Sequence, residues 1–286
     1  MKTNAIIRIV LFSVLILILL GVLIAGIAAE SFINEIEWGS SMADGNVESQ
    51  GFVNADEIRE LDVEWVSGSI TIRTSDTDTI SFSETSGLDI SEKMVWKVSD
   101  GKLIIQFQKP RVFLGFSLGI STDYSKDLII NVPANWNARK VNIESVSADI
   151  DFTDLNADEL ELNNVSGHCV LNRCDILEMK VETVSGEVDY DGSLSVVELN
   201  SVSADCSLSL SKGTDSITTE CVSGDLTLYL PKEQGFTVEL DGLNGRFESD
   251  FTTVSKNGKY RYGDESCQIE GEAISGSIHI FEKIEN

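Results

Sequence analysis

Residues 184–190 read VSGEVDY, and the same heptapeptide returns along the chain as VSGSITI (66–72), VSADIDF (146–152), VSGHCVL (165–171), VSADCSL (202–208), VSGDLTL (222–228) and ISGSIHI (274–280). With each serine as position zero (Ser67, Ser147, Ser166, Ser185, Ser203, Ser223, Ser275), the steps from Ser147 are 19, 19, 18 and 20 residues. A weaker copy, LNGRFES, places Asn244-Gly245 a further 21 residues on, and an insertion then delays Ser275 by 31. A fixed period of this length marks a repeat architecture, in which each unit buries its apolar face only against its neighbours.

The pattern inside one period indicates which architecture. Val or Ile at position −1, Gly or Ala at +1, an apolar residue at +3 and another at +5 (Ile72, Phe152, Leu171, Tyr190, Leu208, Leu228, Ile280) alternate with period two. That is a strand with one buried face. Positions −6 and −4 are apolar with the opposite parity (Leu160 and Leu162, Met179 and Val181, Val197 and Leu199), so the inward face switches near −2, as at a corner or bulge. The fold class is therefore all-β: a single-stranded, β-helix-like solenoid with coils of about 19 residues, preceded by one N-terminal transmembrane helix. Each coil pairs in parallel with the next, so six to eight coils make a rod on the order of 30–40 Å long. Ser145, Asn164, Thr183 and Ser201 at −2 suit hydrogen-bonded ladders. Ala148 and Ala204 replace glycine at +1, which implies a corner that needs a small side chain more than a left-handed backbone. An antiparallel sandwich explains the alternation equally well, but not the return of one heptapeptide at every second strand.

The rest of the chain divides around this repeat. Ile9 to Ala29 carries no charge, and its 21 residues are enough to span a bilayer. Lys2 and Arg8 precede the run, which places residues 1–8 in the cytoplasm and the remainder outside. A cleaved signal peptide is the rival reading, because small residues end the run; its length favours an uncleaved anchor at 9–29. Residues 30–54 read as an acidic stalk, 55–142 as an irregular opening β region, and 143–286 as regular repeats interrupted by an insertion at 246–270. The apolar FLGFSLGIS (113–121) reads as core.

There are 47 acidic and 21 basic residues. That balance argues against nucleic acid and against docking of the folded part on anionic lipid. Of five cysteines, Cys169 and Cys206 fall at +3 and read as small core residues. No C-x-x-C exists, and His168 and His279 lie far apart in the chain. Asn164-Val165-Ser166 matches a glycosylation sequon, read as coincidental at a repeat corner.

The S-G-[DES]-[VIL] returns at 67–70, 185–188, 223–226 and 275–278, with DLIINVPANWNARKVNIESVSADIDF (127–152) and LYLPKEQGFTVELDGLNGRFESDF (228–251), resemble the bacterial "putative adhesin" family of β-strand-repeat proteins over about residues 55–282. The resemblance implies surface display, often behind an N-terminal membrane segment, and brings no catalytic residues. The alanines at 148 and 204 and the cysteines depart from the family's pattern.

Position +2 holds Asp149, His168, Glu187, Asp205 and Asp225 on successive coils. Like charges about 4.8 Å apart repel, which makes Asp149, Glu187, Asp205 and Asp225 the candidate cation ligands. A solvated face is the plainer reading, because the calcium β-roll turn motif is missing. No catalytic set, cofactor site or resident metal is expected. The Val-Ser-Gly serines lack a nucleophile elbow and a recurring histidine. A glycan-active enzyme would need a groove with two carboxylates beside an exposed tryptophan, whereas Trp65, Trp96 and Trp136 lie outside the regular coils. The favoured expectation is a membrane-anchored, adhesin-like display module that contacts a cell-envelope protein or polymer. An envelope sensor acting through a membrane partner is the alternative.

Overall fold

The computed structural model describes residues 45–86, 93–108, 125–211, 213–242 and 245–284. The apolar run at 9–29, its flanks at 1–8 and 30–44, and the stretch 113–121 lie outside the described residues. Among the described residues no helix is long and apolar enough to cross a membrane, and the only helical turn is a 3-10 turn at Ala55–Glu57.

The strands begin with β1 (Asn46–Val47), β2 (Gln50–Asn54), β3 (Glu60–Ser75), β4 (Thr79–Ser86), β5 (Val95–Ser99), β6 (Lys102–Gln106) and β7 (Lys126–Pro133). The regular coils follow with β8 (Asn137–Thr153), β9 (Asn156–Asn164), β10 (His168–Leu210), β11 (Ser216–Ser223) and β12 (Leu226–Leu230). The chain closes with β13 (Phe236–Gly242), β14 (Arg246–Ser249), β15 (Val254–Lys256), β16 (Lys259–Tyr262), β17 (Cys267–Ser275) and β18 (Ser277–Glu282).

These strands stack as two walls joined along the Val-Ser-Gly corner. The first wall carries the residues before each corner, in parallel register from β6 through the first half of β3, the first half of β8, β9, successive passes of β10, then β11, β17 and β13. The second carries the residues after it, from β7 through β3, β8 and β10 to β12, β18 and β14. Like stacks on like: Ser67 lies opposite Ser147, Ser203 opposite Ser223, and Ser223 opposite Ser275. The backbone N–H groups of Ser166 and Ser185 donate to the carbonyls of Val146 and Val165, both at 3.0 Å. Their hydroxyls reach the same carbonyls at 3.5 Å, and Ser147 Oγ reaches the Val66 carbonyl at 3.4 Å, so at these three corners the repeated serine also ties one coil to the one before.

The core is made of inward ladders. At −6, Leu61, Val141, Leu160, Met179, Val197, Ile217, Val238 and Ile269 are buried, and so are the apolar residues at +3 and +5 of the seven serine-centred copies, Phe247 of the weaker copy being half-buried. Each such side chain contributes about 1.5–3 kcal/mol by leaving water, and none could do so within its own coil. Cys169 and Cys206 sit in the +3 ladder as expected, and all five cysteines are free. Trp65 and Trp136 are also core, donating their indole N–H to the carbonyls of Lys126 and Ile58, both at 2.9 Å.

Four expectations require correction. First, the residue at −1 is not buried: Val146 is 47% exposed and Ile274 37%, and Val66 is only half-buried at the edge of the core, while Ser145, Asn164 and Ser201 at −2 are buried. Two consecutive residues, −1 and 0, point outward, and this bulge re-phases the alternation between the walls. Second, four of the five corner glycines use a backbone that other residues rarely adopt: Gly68, Gly167, Gly186 and Gly224 have φ between 106° and 135°, while Gly276 does not. Ala148 and Ala204 take the corner at ordinary φ with a buried methyl group, so the repeat has two corner forms. Third, residues 46–47 and 50–54, read as stalk, are strands β1 and β2, which pair antiparallel with β5 and β4 at one end of the column. Regular register begins at Glu60 rather than at 143. Fourth, residues 246–270 are not a simple insertion. β14 is a coil strand, β15 and β16 form an antiparallel hairpin on β13, and the last coil in the chain (β17 and β18) lies between the β11–β12 coil and the β13–β14 coil. Antiparallel strands thus cover both walls at the opening end and the first wall at the closing end, where open parallel edges would otherwise recruit other chains.

Candidate functional site

At the start of the second wall β3 and β8 stay paired through +1 and +2 (Gly68 with Ala148, Ser69 with Asp149), but in the later coils the ladder is interrupted there; register resumes at Cys169 against Ile150, at Cys206 against Leu226, and at Leu226 against Ile278. The +2 aspartates fill that gap. Asp149 Oδ1 accepts the backbone N–H of His168 (2.9 Å), Asp205 Oδ1 that of Asp225 (2.9 Å), and Asp225 Oδ1 that of Ser277 (2.8 Å). Three of the four candidate cation ligands are therefore each engaged with the next coil's backbone, one coil apart, and do not converge on a common point. Charge-assisted bonds of this kind stabilise more than neutral ones and offset the repulsion along the column.

Glu187 belongs to a different group. The imidazole Nε2 of His168 lies 2.9 Å from Asp189 Oδ2 and 3.7 Å from Glu187 Oε2. Among the described residues this is the one cluster of three His, Cys, Asp or Glu side chains close enough to share a metal ion. Asp189 escaped the sequence analysis, although it stands at +4 in VSGEVDY, with the outward parity of +2. Only the stacking of one coil on the next brings it to His168, 21 residues earlier.

The outer face of the first wall is dense in carboxylates interleaved with lysines. Lys102 bridges Glu60 and Asp62 (3.4 Å each), Lys140 bridges Glu159 (2.6 Å) and Glu161 (2.8 Å), and Lys180 meets Glu182 (2.8 Å). Hydrogen bonds from Lys140 hold the Glu161 carboxyl below its usual range, while burial, followed by Glu272 and Glu198, pushes that of Glu220 up. Such exposed pairs contribute about 0–1 kcal/mol each; their effect is to let rows of like charge stack. At the far edge of the same wall, Asn137, Asn156, Asp158, Asp175, Leu177, Ser193 and Ser195 line an open trough of about 560 Å³. The sequon residue Asn164 is buried, with its side chain accepting from Ser145 Oγ at 2.9 Å, so the fold withholds it from modification.

Residues 58–196 and again 136–280 match the model of the Toastrack DUF4097 family. The chain belongs to the Toastrack DUF4097 family. The second match begins inside the first, as a column of like toastrack coils allows, and together they span nearly all of the stretch over which the S-G returns resemble the adhesin family. Similar solved structures include a "putative cell adhesion protein" from Clostridium sporogenes ATCC 15579, 17% identical with a TM-score of 0.38, covering 84% of this chain and 100% of that one. A "putative adhesin" from Bacteroides fragilis NCTC 9343 is 12% identical with a TM-score of 0.41, covering 81% and 95%. A "putative lipid binding protein" from Parabacteroides distasonis ATCC 8503 is 16% identical with a TM-score of 0.41, covering 83% and 97%. No curated protein matches the chain.

Proposed function

We propose that this toastrack protein is a non-enzymatic binding module, held in the membrane by residues 9–29 and displayed outside the cell, where its walls contact an envelope polymer or protein. One observation carries the reading: the outward positions repeat in register from coil to coil, so a ligand with its own repeat meets a polar side chain at an equivalent position every ~4.8 Å. Weak contacts repeated along a line add up without a deep pocket. The trough lined by Asn156, Asp175 and Ser195 crosses several such coils and offers amide, carboxylate and hydroxyl groups to a hydroxyl-rich chain.

The test is binding of the detergent-solubilised full chain to envelope polymer and to envelope membrane protein, fractionated from the cells that make it. Saturable binding to one fraction, weakened at least about tenfold in an Asn156→Ala/Asp175→Ala double variant, supports the reading. Absence of binding to either fraction, or turnover of a glycan or peptide by the purified chain, rejects it. Protease digestion of the domain on intact cells checks the orientation.

A further inference from the structure

The geometry points to a zinc-type metal site on the outer face of the second wall, formed by His168 Nε2, Glu187 and Asp189. It does not depend on the display reading above. The three ligand atoms lie within 4.8 Å of one another, and the two distances from Nε2 are 2.9 and 3.7 Å. Tetrahedral zinc with bonds of about 2.0–2.2 Å needs ligands about 3.3–3.6 Å apart. The two distances from Nε2 bracket that edge, and the carboxylate oxygens, within 4.8 Å of each other, reach the third edge by side-chain rotation at the exposed Glu187.

Charge favours an ion. Among the described residues neither Glu187 nor Asp189 pairs with a lysine or arginine, and one imidazole faces both carboxylates. A divalent cation neutralises the pair where a single protonated imidazole does not. The backbone beneath is fixed, because Asp149 accepts the N–H of His168 and Gly186 is stacked on Gly167. The side chains are 44%, 65% and 50% exposed, so an ion can enter from solvent and keep a fourth position for water or an outside donor.

Ligand type selects the metal. One imidazole nitrogen and two carboxylates suit zinc and its first-row neighbours, whereas calcium takes six to eight oxygens. Four of the five cysteines are poor competitors: Cys169, Cys174, Cys206 and Cys267 are buried, and burial raises their thiols to about 11 or 12; the thiol of the half-buried Cys221 is also raised by burial. The remaining histidine, His279, meets one carboxylate, Glu248, at 3.5 Å and serves as the control.

The experiment is calorimetric titration of the chelator-treated full chain in detergent with zinc chloride, and separately with calcium chloride. The expected result is one saturable zinc per chain, weakened at least about tenfold by His168→Ala and by Asp189→Asn and unchanged by His279→Ala, with no calcium heat at the same concentrations. His168 and Asp189 are about half exposed and His279 less so, and an unchanged melting temperature without metal shows for each variant that the fold survives. Zinc binding indifferent to His168→Ala, binding lost equally with His279→Ala, a preference for calcium, or no zinc bound at about 100 μM would each overturn the assignment.

Discussion

Replacing Gly186 by alanine tests the stacking of the corners directly. Gly186 has φ 131°, and a methyl group there would lie 2.2 Å from the carbonyl oxygen of Gly167 in the preceding coil. The overlap is about 1 Å against an ordinary contact, and the obstacle is backbone held by its own ladder. Strain at this φ costs on the order of 1–3 kcal/mol, and overpacking adds about 1–3 kcal/mol. A loss of about 2–6 kcal/mol is expected, which for a domain of this size lowers the melting temperature by roughly 5–20 °C. Gly258 supplies the comparison, since its φ is 79° but nothing lies within 4 Å of its would-be Cβ, so Gly258→Ala reports the backbone term alone. Thermal unfolding followed by circular dichroism should show Gly186→Ala clearly the more damaging. If the two variants melt together, or if Gly186→Ala melts with the parent, the corner is relaxing into the form already used at Ala148 and Ala204. The argument from inter-coil contact would then be wrong.

Two further perturbations follow from the core. Burial raises the thiols of Cys169 and Cys174 to about 11 and those of Cys206 and Cys267 to about 12. As pH rises past about 9 the unfolded chain loses these protons first, so stability falls by about 1.4 kcal/mol per pH unit for each thiol until the native groups titrate. Urea midpoints should drop between pH 8 and 10, and Cys206→Val, which installs the residue that Val188 supplies one coil earlier, should flatten that slope; equal midpoints would refute it. At one end of the column Lys126 Nζ and Glu84 Oε2 form a buried pair at 3.0 Å, with Glu84 Oε1 also accepting the N–H of Met94 at 2.7 Å. Glu84→Leu should cost about 3–5 kcal/mol by stranding the lysine, and Lys126→Met added to it should recover most of the loss; denaturant titration of the single and double variants measures both.

The serine of the repeat shows how a motif can be legible while its partner is not. Its recurrence is visible in the sequence, but its use is not. A hydroxyl that fastens one corner to the carbonyl of the previous one has no partner within its own coil. The +2 aspartates are similar. Taken one coil at a time they are surface charges in a repelling row, and only the gap in the ladder reveals that they receive backbone N–H groups. The valine at −1 was assigned inward because period two continues smoothly from it to +5; the outward bulge at −1 and 0 overrides the local pattern without altering a residue of it. Trp65 and Trp136 are buried because placing a large ring beside a carbonyl satisfies both its area and its N–H.

By itself the sequence determined the all-β coil, its period, the inward ladders at −6, −4, +3 and +5, and the family to which the chain belongs. These follow from short-range alternation repeated in register, and a chain that must bury one face has few other ways to do so. The tertiary structure alone decided the order of the coils at the closing end, the strands that cover the open edges, and the meeting of His168, Glu187 and Asp189. Any apolar strand of matching parity can stack on any other. Which one does so is settled by long-range hydrogen bonding, and so is which outward side chains, some twenty residues apart, become neighbours.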